Sequence, residues 1–187
     1  MNIERIFSEL AAHMRKGLRL HDQMGNIYGF LNLNGYQRCQ EYHYYSESIL
    51  YKKLHEYFTF HFYKLIEYAE EPYENIIPES WYKHVKNDVD VNTKRNAIKE
   101  TMQTWIKWEQ ETIQLLTKSY YETIELKNFA AAAFILSLLE DVEDEVAIAN
   151  EDYNNLESIN YDMVEIVDQQ DAIYKKYNKK IRKLWGD

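Results

Sequence analysis

Residues 36–68 read YQRCQEYHYYSESILYKKLHEYFTFHFYKLIEY, and this stretch decides the fold. Its apolar and aromatic side chains recur at steps of three and four, which places them on one face of an α-helix. The polar side chains of Gln40, His43 and Glu47 occupy the same face. A lone buried charge is costly unless it is paired, hydrogen-bonded or bound to a metal. The stretch therefore predicts a long amphipathic helix with a polar network or a metal site on its inner face.

Three further stretches show the same helical spacing, and each carries an ionisable side chain on its predicted inner face. These side chains are His21 in the first stretch, Glu109 in the third, and Asp141 with Glu145 in the fourth. A fifth amphipathic segment follows near the carboxyl terminus. In chain order, the predicted helices span about residues 2–33, 36–70, 93–127, 129–154 and 160–184.

Turn signals set the connections between these helices. Asn34-Gly35 separates the first two, and Asn128 separates the third from the fourth. Segment 71–92 holds both prolines and is longer than the roughly 2–8 residues of most helix–helix links. We therefore expect one all-α domain over residues 1–187: a ferritin-like four-helix bundle with one long crossover between helices two and three, plus a C-terminal fifth helix. Two hairpins docked by an unstructured link would give the same pattern.

Composition narrows the classes of partner. The net charge of −9 argues against nucleic acid, because phosphate contacts need clustered lysine and arginine. Cys39 is the single cysteine, so an internal disulfide and a multi-thiolate zinc site are excluded. The first residues do not resemble a signal peptide, and no stretch is apolar enough to span a membrane. We expect a cytoplasmic protein that does not enter a membrane.

The inner-face residues are candidates for a metal site. Di-iron and di-manganese carboxylate sites need carboxylates and a few imidazoles that converge from four helices. Folding each predicted hairpin about its turn brings His21 opposite Glu47, and Glu109 within about half a turn of Glu145. The expected metal is iron or manganese, bound at the waist of the bundle. The candidate ligands are His21, His43, Glu47, Glu109, Asp141 and Glu145, with His43 either a ligand or the partner of one.

Each candidate also has a structural interpretation. A lone histidine such as His21 on an apolar face is often a hydrogen-bonded core residue. The acidic run 140–145 covers the whole circumference of a helix, so at least one of its carboxylates must approach the interior. The run can equally form a solvated face, with Val142, Val146, Ala149 and Tyr153 on the inner side. We expect His13 to be exposed or to make only local contacts.

Residues 128–145 read NFAAAAFILSLLEDVEDE and resemble the start of the fourth helix of bacterial non-haem ferritins, where an aromatic-rich opening leads into an acidic cluster. Residues 65–68, LIEY, are similar to the pattern that precedes the crossover in that family. The resemblance implies the ferritin-like fold and a di-metal site. That site normally carries Glu-x-x-His, which this chain lacks; the nearest variant is Gln40-Glu41-Tyr42-His43. The resemblance therefore implies the shared fold with a di-metal site that is altered or absent.

The leading hypothesis is a ferritin-like protein that binds one or two divalent metal ions at the waist. If the protein is an enzyme, the expected activity is of the di-iron oxidase or ferroxidase type. The alternative is a non-catalytic scaffold or interaction protein without metal, in which the inner histidines and glutamates form hydrogen-bonded pairs that fix helix register. In both cases we expect a homo-oligomer formed through helical faces, with the C-terminal helix as a surface for a protein partner.

Overall fold

The computed structural model of the chain describes residues 2–66 and 90–186. These residues form helices and no strand, which confirms the all-α prediction. None of the helices in these two ranges combines the length and the apolar character needed to cross a membrane. The helices are α1 (Ile3–Phe30), α2 (Asn34–Phe62), α3 (Val91–Glu125), α4 (Phe129–Ser158) and α5 (Met163–Leu184).

Asparagine or aspartate caps the start of four of these helices. The side chains of Asn2, Asp90, Asn128 and Asp162 each accept a hydrogen bond from a backbone N–H in the first turn. Such a cap satisfies a donor that has no partner within the helix and contributes about 1 kcal/mol. The caps at Asn2 and Asn128 stand where the sequence places the starts of the first and fourth helices.

The end of α2 differs from the prediction. The helix stops at Phe62 rather than near Glu70, because Tyr63 adopts a left-handed conformation with φ of 55° and its N–H bonds to the carbonyl of Thr59. Residues 67–89 lie outside the described part of the chain, and so does most of the predicted crossover 71–92.

Contacts between helices give their directions. The rings of Phe7 and Phe58 lie 5.1 Å apart, so α2 ends beside the start of α1. The hydroxyls of Tyr28 and Thr101 are hydrogen-bonded, so α3 begins beside the end of α1. α1 is therefore antiparallel to both α2 and α3. α2 ends at one end of the bundle and α3 begins at the other.

The apolar core divides into two clusters along the bundle axis. The upper cluster lies near the α1–α2 turn and includes Met24, Tyr28 and Met102. The lower cluster lies near the α3–α4 turn and includes Phe7 and Leu138. A polar layer on helices α1–α4 separates the two clusters. We call this layer the waist cluster; it consists of His21, His43, Glu47, Glu109 and Glu145.

Helix α5 packs against α2 at the level of the upper cluster. The Gly35 N–H donates a hydrogen bond of 2.8 Å to Gln170 Oε1. A Cβ atom at Gly35 would lie only 2.5 Å from the backbone oxygen of Gln170, so glycine permits this close approach. The Tyr177 hydroxyl, further along α5, is hydrogen-bonded to Asp152 of α4. α5 thereby links the two hairpins beside the waist.

Candidate metal centre

Two histidines from different helices meet at the waist. His21 of α1 and His43 of α2 are each 1 % exposed, and their ring centroids lie 5.5 Å apart. Nδ1 of His21 lies 2.8 Å from Gln40 Oε1, and Nδ1 of His43 lies 2.7 Å from Glu145 Oε2. At these distances two unprotonated acceptors would repel each other, so each Nδ1 carries the proton. Within the described residues, Nε2 of both rings is buried without a hydrogen-bond partner.

Two buried carboxyl groups lie in the same layer. Glu47 of α2 is 7 % exposed, and its Oε2 has no hydrogen-bond partner among the described residues. Glu109 of α3 is 3 % exposed and accepts a hydrogen bond of 2.8 Å from the Trp105 indole N–H. Burial, reinforced by the charges of Glu109 and Glu145, raises the pKa of Glu47 well above its ordinary value. Burial also raises the pKa of Glu109 to about 7, against the lowering effect of Trp105.

Glu145 of α4 differs from the other two carboxyl groups because its partners hold it as an anion. Besides the contact with His43, its Oε1 accepts a hydrogen bond of 2.8 Å from the Ser46 hydroxyl and a longer one of 3.5 Å from Tyr42. Burial alone would raise the pKa of Glu145, but His43 and Ser46 lower it to about 2. Burial and the nearby His43 lower the pKa of His21 to about 3, so the layer places a neutral imidazole near a fixed anion.

Two tryptophans of α3 form a wall of the waist. The Trp105 ring contacts His43 at a centroid distance of 4.4 Å and His21 at 5.9 Å. Trp108 stacks on His13 at 3.8 Å, and Gly17 provides the room, since a Cβ there would lie 2.9 Å from the indole. His13 is therefore half-buried against a different helix, and the prediction that it is exposed or makes only local contacts is wrong.

The structure brings together five of the six candidate ligands and leaves one outside. Asp141 is exposed, and Lys53 Nζ lies 2.7 Å from its Oδ2. Val142 and Ala149 occupy the inner face of α4, as the structural interpretation of the acidic run has it, and Glu145 reaches the waist from the edge of that face. The prediction that Asp141 faces the waist is wrong, because the next residue, Val142, takes the inner position on this turn of α4.

Several residues that complete the layer were not among the candidates. Gln40 lies on the predicted inner face of α2, and its spacing of three residues from His43 was the available signal. Trp105 lies on the predicted inner face of α3, one turn before Glu109. No pattern in the sequence marks Ser46 or Tyr42, because their role depends on contact with another helix.

Comparison with known proteins adds no assignment. The chain matches no protein-family model and no curated protein.

Among residues 2–66 and 90–186, no three His, Cys, Asp or Glu side chains are arranged to hold a metal ion together. The side chains of the waist cluster would therefore have to shift to share one ion.

Proposed function

We propose that the waist cluster binds a divalent transition-metal ion through Nε2 of His21, Nε2 of His43, and the carboxylates of Glu47 and Glu109. One observation carries the proposal: both histidines have Nδ1 held by an oxygen and a buried Nε2 without a partner. Metal-binding histidines almost always donate the other ring N–H to a carboxylate, a carbonyl or water. Buried polar atoms without partners are otherwise rare in folded proteins.

The charges of the layer support a cation. Burial raises the pKa of Glu47 and of Glu109, and neighbouring carboxylates add to this effect. A cation between these groups would relieve the repulsion and replace the hydration that burial removes. Imidazole and carboxylate donors together suit several first-row metals, including iron and manganese. We propose iron as the bound metal, with manganese as the alternative.

We also infer a ferritin-like architecture. The antiparallel hairpins α1–α2 and α3–α4, and the positions of the end of α2 and the start of α3 at opposite ends of the bundle, support it. Bound iron would supply redox chemistry toward O2, and oxidation of Fe²⁺ is the activity this donor set would support. The chain's own residues would hold the ion, fix the histidine tautomers and keep water out of the layer.

One observation favours a different function. No three donor side chains in the described ranges are arranged for a metal, whereas hydrogen bonds already cross between helices. His21 links α1 to Gln40 of α2, and His43 links α2 to Glu145 of α4. In a metal-free scaffold these two contacts would fix the register of three helices, and Nε2 would remain unused.

Metal content distinguishes the two functions. We expect the purified, untagged protein to retain iron or manganese after anaerobic loading and desalting, measured by inductively coupled plasma mass spectrometry. At a free metal concentration of about 100 times Kd, binding would stabilise the fold by about 2.7 kcal/mol. For a chain of this size that corresponds to a rise in Tm of about 5–10 °C.

Matched variants locate the ion. We expect Glu47→Ala or Glu109→Ala to abolish retention, whereas Asp141→Ala, which removes an exposed carboxylate of α4, leaves it unchanged. Retention by Glu109→Ala would refute the ligand set. A wild-type protein that holds no metal and gains no thermal stability from Fe²⁺, Mn²⁺ or Zn²⁺ would favour the scaffold.

We further propose that copies of the chain associate through α4 and α5. The outer face of α5 exposes Val164 and Val167, 71 % and 56 % accessible. α4 exposes several acidic side chains and α5 several basic ones, and attraction between them favours contact between copies. We expect sedimentation velocity to show a dimer at low salt that weakens at high salt or with Val164→Asp. A monomer at all salt concentrations would refute the proposal. The exposed charges are Glu140, Glu143 and Asp144 on α4, and Lys175, Lys179, Arg182 and Lys183 on α5.

A further inference from the structure

We propose that Glu145 is a positioning residue that fixes the tautomer of His43, and that the waist therefore holds one metal ion per chain rather than two. The inference rests on the proposed function and deepens it, because it assigns the buried carboxylates different roles and predicts the stoichiometry. It also separates this site from the dinuclear sites for which four-helix bundles are known.

The contacts of Glu145 argue against metal ligation. Its Oε2 lies 2.7 Å from His43 Nδ1, and its Oε1 accepts hydrogen bonds from the Ser46 and Tyr42 hydroxyls at 2.8 and 3.5 Å. Oε1 is therefore hydrogen-bonded, and Oε2 lies in ion-pair contact with His43, although Oε2 accepts no hydrogen bond among the described residues. Oε2 of Glu47 is likewise buried without a hydrogen-bond partner in the described residues, but the charges that act on it are the carboxylates of Glu109 and Glu145 rather than an imidazole. A shift of Glu145 toward a metal would break contacts, whereas Glu47 has an oxygen free to bind.

The contact with Glu145 determines which nitrogen of His43 can bind a metal. A neutral imidazole has one N–H donor and one nitrogen with a lone pair, and the partner of the first sets the position of the second. Glu145 favours a proton on Nδ1, so in the neutral ring the lone pair is on Nε2. Gln40 has the same effect on His21, because its Oε1 lies 2.8 Å from His21 Nδ1. The two histidines thus have the same tautomer, one held by an anion and the other by an amide.

The number of remaining donors limits the number of ions. Dinuclear carboxylate sites in helical bundles use a glutamate from each of two helices and a Glu-x-x-His pair from each of the other two. With Glu145 engaged and Asp141 at the surface against Lys53, the waist offers two carboxylates and two imidazoles. Four such donors can hold one ion, but they leave no further carboxylates for a second ion.

Stoichiometry tests the ion count. The metal-free protein would be titrated anaerobically with Fe²⁺, and in parallel with Mn²⁺, and the bound ions counted by native mass spectrometry. We expect saturation at one ion per chain. Two tightly bound ions per chain would overturn the inference while leaving the proposed function intact. No bound ion would refute the proposed function and, with it, the ion count.

Variants of Glu145 test the positioning role. Loss of a residue that orients a ligand typically weakens metal binding about 10–100-fold, so we expect Glu145→Ala to lower the affinity by that factor without changing the stoichiometry. Glu145→Gln keeps an acceptor oxygen and should restore part of the affinity. Glu143→Ala, an exposed carboxylate on the same helix, is the matched control and should have no effect. Complete loss of binding in Glu145→Gln would identify Glu145 as a ligand and overturn the inference.

The tautomer can be measured without metal. Nitrogen-15 NMR of histidine-labelled, chelator-treated protein distinguishes Nδ1–H from Nε2–H, with signals assigned from His21→Gln and His43→Gln. We expect Nδ1–H for His43 in the wild type, a change for His43 alone in Glu145→Ala, and a change for His21 alone in Gln40→Ala. A wild-type His43 protonated at Nε2, or unaltered in a folded Glu145→Ala protein, would overturn the positioning role. Because no metal is present, this result is independent of the proposed function.

Discussion

The waist and the lower apolar cluster are both built from helices α1–α4, and the upper cluster also includes side chains of α5. The polar waist and the apolar clusters differ in how their side chains contribute to the fold. Side chains in the clusters, such as Phe7 and Leu138, are fully buried and contact other apolar groups. The waist buries the imidazoles of His21 and His43 beside carboxyl groups, and some of their polar atoms have no partner among the described residues. The clusters stabilise the fold through apolar burial, whereas the waist includes groups whose burial is unfavourable.

This difference indicates where stability and function reside. A layer needed only for stability would gain from apolar side chains, since replacing buried charged groups by well-packed apolar ones is often neutral or stabilising. A layer retained for ligand binding keeps its polar groups at a cost to stability. Substitutions in the apolar clusters should therefore lower stability more than substitutions in the waist.

The largest effect is expected in the lower cluster. Phe7 is 0 % exposed and packs against the rings of Phe58 and Phe134, so Phe7→Ala should lower the free energy of unfolding by about 3–5 kcal/mol. Urea denaturation followed by circular dichroism measures the change. Phe129→Ala is the control: its side chain is 65 % exposed, and the loss should be below about 0.5 kcal/mol. Similar losses in the two variants would show that the lower cluster does not carry the stability assigned to it.

The upper cluster should depend on the docking of α5. Gly35→Ala would place a Cβ 2.5 Å from the Gln170 carbonyl, so we expect a loss of about 1–3 kcal/mol as α5 shifts. Gly25→Ala is the matched control: its Cβ would make an ordinary 3.6 Å contact with Gln40, and alanine should stabilise the helix by up to about 1 kcal/mol. Thermal melts of both variants should therefore move in opposite directions. A stabilised Gly35→Ala protein would disprove the close packing of α5.

His13 should make stability depend on pH. Burial, aided by Lys16, lowers its pKa from 6.5 to about 4 in the folded protein. Between these values the unfolded chain binds a proton that the folded chain does not, so this contribution to stability falls as pH falls. The loss should amount to about 1–2 kcal/mol between pH 6.5 and 4. The free energy of unfolding of His13→Gln should show a smaller decrease over this range. Parallel pH profiles of the two proteins would refute the prediction.

The sequence predicted the helices well because their spacing and caps are local. It missed the end of α2, since apolar side chains continue at helical spacing to Tyr68 while the left-handed turn at Tyr63 has no local signal. The phase of α4 was ambiguous for a related reason. The acidic run around Asp141 and Glu145 covers the whole helix, so only packing of Val142 decides which carboxylate turns inward.

The composition of the waist was also partly predictable. His21, Glu47 and Glu109 stand out as ionisable groups on apolar faces, and the hairpin turns predict their common level. The role of Glu145 could not be predicted, because it depends on a contact between His43 of α2 and a side chain of α4. The burial of His13 depends in the same way on the space that Gly17 leaves for Trp108.

The smallest expected change in stability is the most informative. Glu47→Met replaces a buried carboxyl group by an apolar side chain of similar length. Burial and the nearby carboxylates raise the pKa of Glu47, so the folded state bears a cost at neutral pH that methionine removes. We expect the metal-free variant to be as stable as the wild type or more stable by about 1 kcal/mol, and to retain no metal. In a scaffold whose polar layer specifies the fold, the same substitution should lower stability, broaden the unfolding transition and leave metal retention as it was. Urea denaturation with chelator present, paired with metal analysis, therefore tests whether Glu47 is buried for stability or for a ligand.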